Sequence, residues 1–115
     1  TVPDKFQNRN LLMHNPHVTL MRTSPDENNL IGEWIGKKLN KCKGPVRFFL
    51  PEKGVSMLDL PGKAFYDPIA DAALFDAIEN TVEQNSNRQI IRLPNNINDT
   101  EFAEGLLSAF QELNR

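Results

Sequence analysis

The chain has 115 residues, 39% of them apolar and 24% charged, with a net charge of -2. Such a chain can bury one core, but it offers no basic field for a nucleic acid or a membrane surface, and no apolar run approaches the roughly 20 residues of a membrane-spanning helix. A single cysteine, Cys42, excludes an internal disulfide and leads us to expect a reducing, cytoplasmic setting.

No signal-peptide pattern is visible, and Thr1 in place of methionine suggests a fragment or a processed product. Leu11-Leu12-Met13-His14 reads as a short buried strand that stops at Asn15-Pro16, with Val18, Leu20 and Met21 continuing the extended path. Ser24-Pro25-Asp26-Glu27 then supplies a cap, a first-turn proline and a capping-box glutamate. Leu30, Ile31, Trp34, Ile35, Leu39 and Cys42 fall on one face of the helix that follows, which predicts Trp34 in the core and Cys42 as a small core residue or helix-end filler. Lys37, Lys38 and Lys41 complement its carboxyl end, and Gly44-Pro45 ends it.

Val46–Leu50 is a second strand, closed by Pro51. From Pro51 to Tyr66 no period holds, and a loop of that length is usually functional or disordered. Asp67-Pro68 caps a second helix with the stripe Leu74, Phe75, Ile78 and Val82. After a turn at Asn85-Ser86-Asn87 comes a third strand, Gln89–Leu93, closed by Pro94. Asp99 or Thr100 caps a third helix carrying Phe102, Leu106, Leu107, Phe110 and Leu113 on one side. The order β-α-β-α-β-α predicts a three-layer, Rossmann-like α/β lobe. Its small parallel sheet would hold at least the strands Leu11–His14, Val46–Leu50 and Gln89–Leu93.

Ligands of open parallel sheets bind outside the carboxyl ends of the strands. Those ends carry His14-Asn15-Pro16-His17, Pro51-Glu52-Lys53-Gly54 and Pro94-Asn95-Asn96-Ile97-Asn98-Asp99. Helix amino termini at the same edge, with Lys53 and Arg22, predict a cleft for an anion such as phosphate or carboxylate. The plainer reading is that proline stops strands and asparagine forms turns. His14, Glu52 and Lys53 are the candidates for acid–base chemistry, although a strand-end histidine is more often bonded to backbone. His14 and His17 lie three apart, but Pro16 breaks helical spacing and no cysteine or carboxylate cluster joins them, so no metal site is expected. The phosphate-loop, dinucleotide and nucleophile-elbow patterns are absent, and Gly32–Lys37 lies inside a helix.

Several strings occur together in order: Arg9–Pro16 with Val18–Thr23, Gly44–Arg47, Pro51–Ser56, Phe65–Pro68 with Ala70-Asp71, and Asn96–Asp99 with Phe102-Ala103. In these the chain resembles, over nearly its whole length, the C-terminal domain of the tomato mosaic virus resistance protein-like ATP-binding family. The resemblance implies that residues 1–115 form one α/β domain, the C-terminal lobe of a larger two-lobe protein. It implies ATP in the parent, mainly on the N-terminal lobe, with no cofactor in this chain. In the plant antiviral member it implies inhibition of viral RNA replication through the viral replication protein. It singles out His14, Asn15, Thr19, Arg22, Glu52, Lys53, Gly54, Asn96 and Asn98 as ligand-binding positions. Three functions compete. The first is a lobe closing over an anionic small molecule. The second is an enzyme using His14, Glu52 or Lys53 on a small substrate. The third is an assembly module contacting the N-terminal lobe or a second copy.

Overall fold

Asn15-Pro16-His17 turns the chain back on itself. The computed structural model describes residues 2–114. In it, β1 (Leu11–Asn15) pairs antiparallel with β2 (Val18–Met21), so Pro16 and His17 alone make the connection. The Asn15 side chain accepts the His17 N–H at 2.8 Å, an Asx turn that fixes the reversal. A two-residue connection permits only an antiparallel pair. The first strand is therefore not part of a parallel sheet, and Val18–Met21 does not extend it. Met13, His14 and Asn15 are exposed rather than buried. The base of this hairpin is tied down, because Asn10 Nδ2 donates to the Ala64 carbonyl at 2.9 Å and Arg9 pairs with Glu27.

The parallel element is β3 (Val46–Pro51) with β4 (Arg88–Leu93), in register Val46 to Arg88 through Pro51 to Leu93. Helices cover both of its faces, which gives the three layers of a mixed α/β lobe. On one side Phe48, Leu50 and Ile90 pack with Phe75, Ile78 and Val82 from α2 (Pro68–Thr81) and its carboxyl end, and with Ile35 and Leu39 from α1 (Pro25–Asn40). On the other side Phe49 meets Phe102 of α3 (Thr100–Leu113) edge to face, with ring centroids 6.3 Å apart. Among the described residues no helix is long and apolar enough to cross a membrane.

The caps of α1 and α2 form as the sequence predicts, whereas Asp99 stands at the N-cap of α3 without a side-chain cap bond, its carboxylate accepting the Asn96 N–H at 2.9 Å instead. Ser24 and Glu27 complete a reciprocal capping box on α1, and Asp67 caps α2 through the Ala70 N–H. The packed face of α1 differs from the expected stripe. Trp34 is 62% exposed, and Leu30 and Cys42 are exposed as well. The buried face runs through Asn28, Gly32 and Gly36. A methyl group on Gly32 would lie 2.6 Å from Ala77 Cβ, and one on Gly36 would lie 2.6 Å from Thr81 Cβ. The two helices thus approach too closely for side chains, and polar clamps seal the contact. Asn28 donates to the Ala70 carbonyl at 2.7 Å and Asn40 to the Thr81 carbonyl at 2.9 Å. With that face fixed, Trp34 points outward, its ring 5.3 Å from the Lys38 ammonium.

Candidate functional site

The carboxyl ends of β3 and β4 open into two interlocked loops. Glu52 N–H donates to the Leu93 carbonyl at 2.9 Å and Lys53 N–H to the Asn95 carbonyl at 3.1 Å, carrying the pairing past the strands. Gly54 then turns with φ +129°, where a side chain would put Cβ 2.0 Å from the Asp59 carbonyl oxygen. Asn96, only 2% exposed, locks the loops together. Its Nδ2 donates to the Ser56 carbonyl at 2.9 Å, and its Oδ1 accepts the Asn98 N–H at 2.9 Å. Gly54 therefore builds the site rather than facing into it, and Asn96 both locks the loops and lines the cleft.

The long segment after Pro51 is held by Asp59, which is 1% exposed. Its carboxylate accepts the N–H groups of Val55 at 2.9 Å and Asp67 at 3.1 Å. The guanidinium of Arg22, 8% exposed, supplies the countercharge. Its Nη2 stands 3.3 Å from Asp59 Oδ2 and 2.7 Å from Asp71 Oδ1, and its Nε donates to the Phe65 carbonyl at 3.1 Å. Two buried carboxylates thus share one cation. Burial, and then the hydrogen bond and charge of Asp59, push the Asp71 carboxyl up to about 7. Burial also opposes charge on Asp59. The bond from Asp71, the two backbone N–H groups and Arg22 outweigh it and hold Asp59 below its usual range. Below about pH 7, Asp71 carries the pair's proton and Asp59 the negative charge.

These parts enclose a cleft of about 350 Å³ lined by Glu52, Lys53, Tyr66, Asp71, Asn96 and Asp99, among others. Lys53 makes no ion pair among the described residues, whereas Glu52 stands 3.8 Å from Arg92. The backbone N–H groups of Lys53, Gly54, Asn96, Ile97, Asn98 and Asp99 are all bonded within the protein. None of these six groups is free to cradle a phosphate. With those groups engaged, the lining does not fit a nucleotide triphosphate on its own. Among the described residues the open donors at the cleft are the Lys53 ammonium and the N–H groups of Thr100 and Glu101 at the start of α3, because the acid proton of Asp71 is held by Asp59.

The expected single cleft is divided. Glu52, Lys53 and Asn96 line it, and Gly54 and Asn98 support it from the loops. Arg22 lies beneath it, its charge engaged by the protein's own carboxylates. His14 and Asn15 are on the exposed hairpin, away from the lining. His17 and Thr19 line a different hollow of about 340 Å³, between the hairpin and the amino-terminal segment with Pro3 and Phe6. Among the described residues no three His, Cys, Asp or Glu side chains are gathered to hold a metal ion. Sequence reasoning missed Asp59, Asp71 and Tyr66. The one usable signal was that Arg22 needed a buried carboxylate partner if it stood at the end of an inward-facing strand.

The model of the uncharacterised protein family (UPF0261) C-terminal domain matches residues 1–114. A UPF0261 protein of Rhizobium meliloti (strain 1021) is 56% identical over 113 residues, covering 98% of this chain and 28% of that protein. The ToMV resistance protein Tm-1(GCR237) of Solanum lycopersicum is 46% identical over 98% of this chain and 15% of its own length. The ToMV susceptible protein tm-1(GCR26) of the same plant is 44% identical over the same shares, 98% and 15%. The chain thus spans less than a third of the length of these curated relatives. Proteins named for resistance and for susceptibility match it almost equally.

Proposed function

The chain belongs to the UPF0261 C-terminal domain family, and from that premise we propose that it is the ligand-binding lobe of a longer protein. The ligand is a small polar molecule with an anionic group, held in the cleft at the ends of β3 and β4. One observation carries this reading: Lys53, free of any ion pair among the described residues, lines the same cleft as the proton-bearing Asp71. Lys53 and the first turn of α3 attract the anion, and Asp71, its proton held by Asp59, adds no negative charge to repel it. ATP, if the parent binds it, is held mainly by the N-terminal lobe, because the N–H groups of Lys53, Gly54 and Asn96 to Asp99 are already bonded within this one. The N-terminal lobe would close over the cleft. The family's plant members give no reason to extend resistance to this chain, and the setting we propose is the cytoplasm. Titration of the full-length protein with inorganic phosphate or acetate, followed by NMR at Lys53, tests the reading.

A second reading is favoured by Asp71. A carboxyl group titrating at about 7 in a cleft suits general acid–base catalysis near neutral pH. In an enzyme Asp71 would move the proton, Lys53 would hold the substrate's anionic group, and Glu52 would stand at the rim. His14 takes no part in this version. Turnover that follows the ionisation of Asp71 separates the two readings.

A further inference from the structure

A parallel pair of strands has two edges, and among the described residues only the β4 edge is partly occupied. Along β4, Gln84 Oε1 accepts the Ile90 N–H at 3.0 Å and Asn85 N–H donates to the Arg88 carbonyl at 2.9 Å. The β3 edge is different. Val46 and Glu52 donate across to the β4 side. Backbone groups alternate along a strand, so Val46, Phe48 and Leu50 face β4 while Arg47 and Phe49 face away. Among the described residues the N–H and carbonyl groups of Arg47 and Phe49 have no partner. Beside this edge lies a groove of about 330 Å³ between β3 and α3, lined by Val46, Phe49, Leu106, Phe110 and Leu113 and others. Phe110 is 65% exposed and Leu106 42%. An unpaired strand edge next to an uncovered apolar helix face has the two features that strand addition uses: backbone pairing and side-chain pockets at alternate positions.

We infer that β3 is the acceptor for a further β-strand, contributed by the parent polypeptide outside residues 1–115. Three observations select this occupant. Parallel sheets occur with both faces covered and are larger than one pair. The relatives are more than three times as long as this chain, as the 28% coverage of the Rhizobium protein shows, so an intramolecular strand is at hand. The groove's lining is apolar apart from Arg47, whose guanidinium is bonded to the Val46, Ser86 and Asn87 carbonyls. The incoming strand therefore presents apolar side chains at every second position toward Phe49, Leu106 and Phe110. It bonds through its backbone to Arg47 and Phe49. The inference shares with the proposed function the premise of a longer protein, but it does not depend on the cleft.

Residue-resolved hydrogen exchange on the full-length protein tests it. Phe48 and Leu50, which face β4, are the internal reference. The Arg47 and Phe49 amides should exchange within about tenfold of that reference, at any protein concentration, because all four would then open together. In the same protein, Phe110→Ser should speed exchange at Arg47 and Phe49 while leaving Phe48 and Leu50 unchanged. Exchange at Arg47 and Phe49 more than about 100-fold faster than the reference would overturn the inference, since the edge would then be open to water. Protection that disappears on dilution would also overturn it, by identifying a second copy as the occupant. Either failure, alongside intact phosphate binding at Lys53, leaves the cleft reading standing. Loss of phosphate binding with protected amides does the reverse.

Discussion

Asp59 and Asp71 share the Nη2 of Arg22, at 3.3 and 2.7 Å, in a pocket where all three side chains are almost wholly buried. This contact joins the end of the hairpin, the long loop after β3 and the first turns of α2. It sets both the shape of the cleft and the protonation of its floor.

Removing the cation should therefore be costly. Arg22→Ala leaves two buried carboxylates without a countercharge, a change that typically costs about 3–5 kcal/mol. Denaturant unfolding of the variant should show that loss. Asn10 and Ala64 should also lose their contact, because the loop is no longer held. A loss below about 1 kcal/mol would mean that the cluster is solvated and that Asp71 has no reason to retain its proton.

Asp71 gives a pH dependence with a definite sign. Its folded value of about 7 lies above the ordinary aspartate value of 3.8, so between the two the folded protein holds a proton that the unfolded chain releases. Stability from this group is full below the unfolded value and is lost as pH rises toward 7. Asp59 is shifted downward, so its contribution is present above the unfolded value and is lost only in acid. Between roughly pH 4 and 7 the Asp71 slope should dominate the pair. Asp71→Asn mimics the protonated acid, with an amide that can donate to Asp59 and an oxygen that can accept from Arg22. It should flatten the profile across that window and be more stable than the parent sequence at pH 8. An unchanged slope in the variant would place the proton elsewhere.

Gly54 tests the loop geometry. Gly54→Ala must adopt φ +129° and place its Cβ 2.0 Å from the Asp59 carbonyl oxygen and 2.7 Å from Asn96 Nδ2. Strain of that kind costs about 1–3 kcal/mol, with the clash adding to it. A neutral result in thermal unfolding would show that the turn has another conformation.

How much of this could be read from the sequence depends on what each signal measures. Capping residues act locally, so Ser24, Glu27 and Asp67 announce their helices. The β3 and β4 runs are short, apolar and bounded by prolines, and they pair in parallel as expected. The first strand went to a hairpin because Asn15 makes an Asx turn with His17, a competing use of the same Asn-Pro pair that would also end a strand. On α1, hydrophobic periodicity was misleading because Gly32 and Gly36 pack against α2 by closeness rather than by apolar bulk. Trp34→Ala should accordingly change stability by less than about 0.5 kcal/mol, as for an exposed site. In the cleft, Lys53 and Asn96 were legible as strand-tip residues. Asp59 and Asp71 were not, because a buried carboxylate looks like any loop or helix aspartate until its partner is placed beside it.

The most direct measurement compares phosphate titrations of the full-length protein and its Lys53→Ala variant at one fixed pH, with thermal unfolding of both. The account predicts binding weaker by about 1–3 kcal/mol in the variant, the usual loss for a charge-assisted contact. It also predicts an unchanged melting temperature, because the Lys53 side chain is exposed and unpaired. Equal phosphate binding in a variant that melts many degrees lower would contradict it and make Lys53 a structural partner.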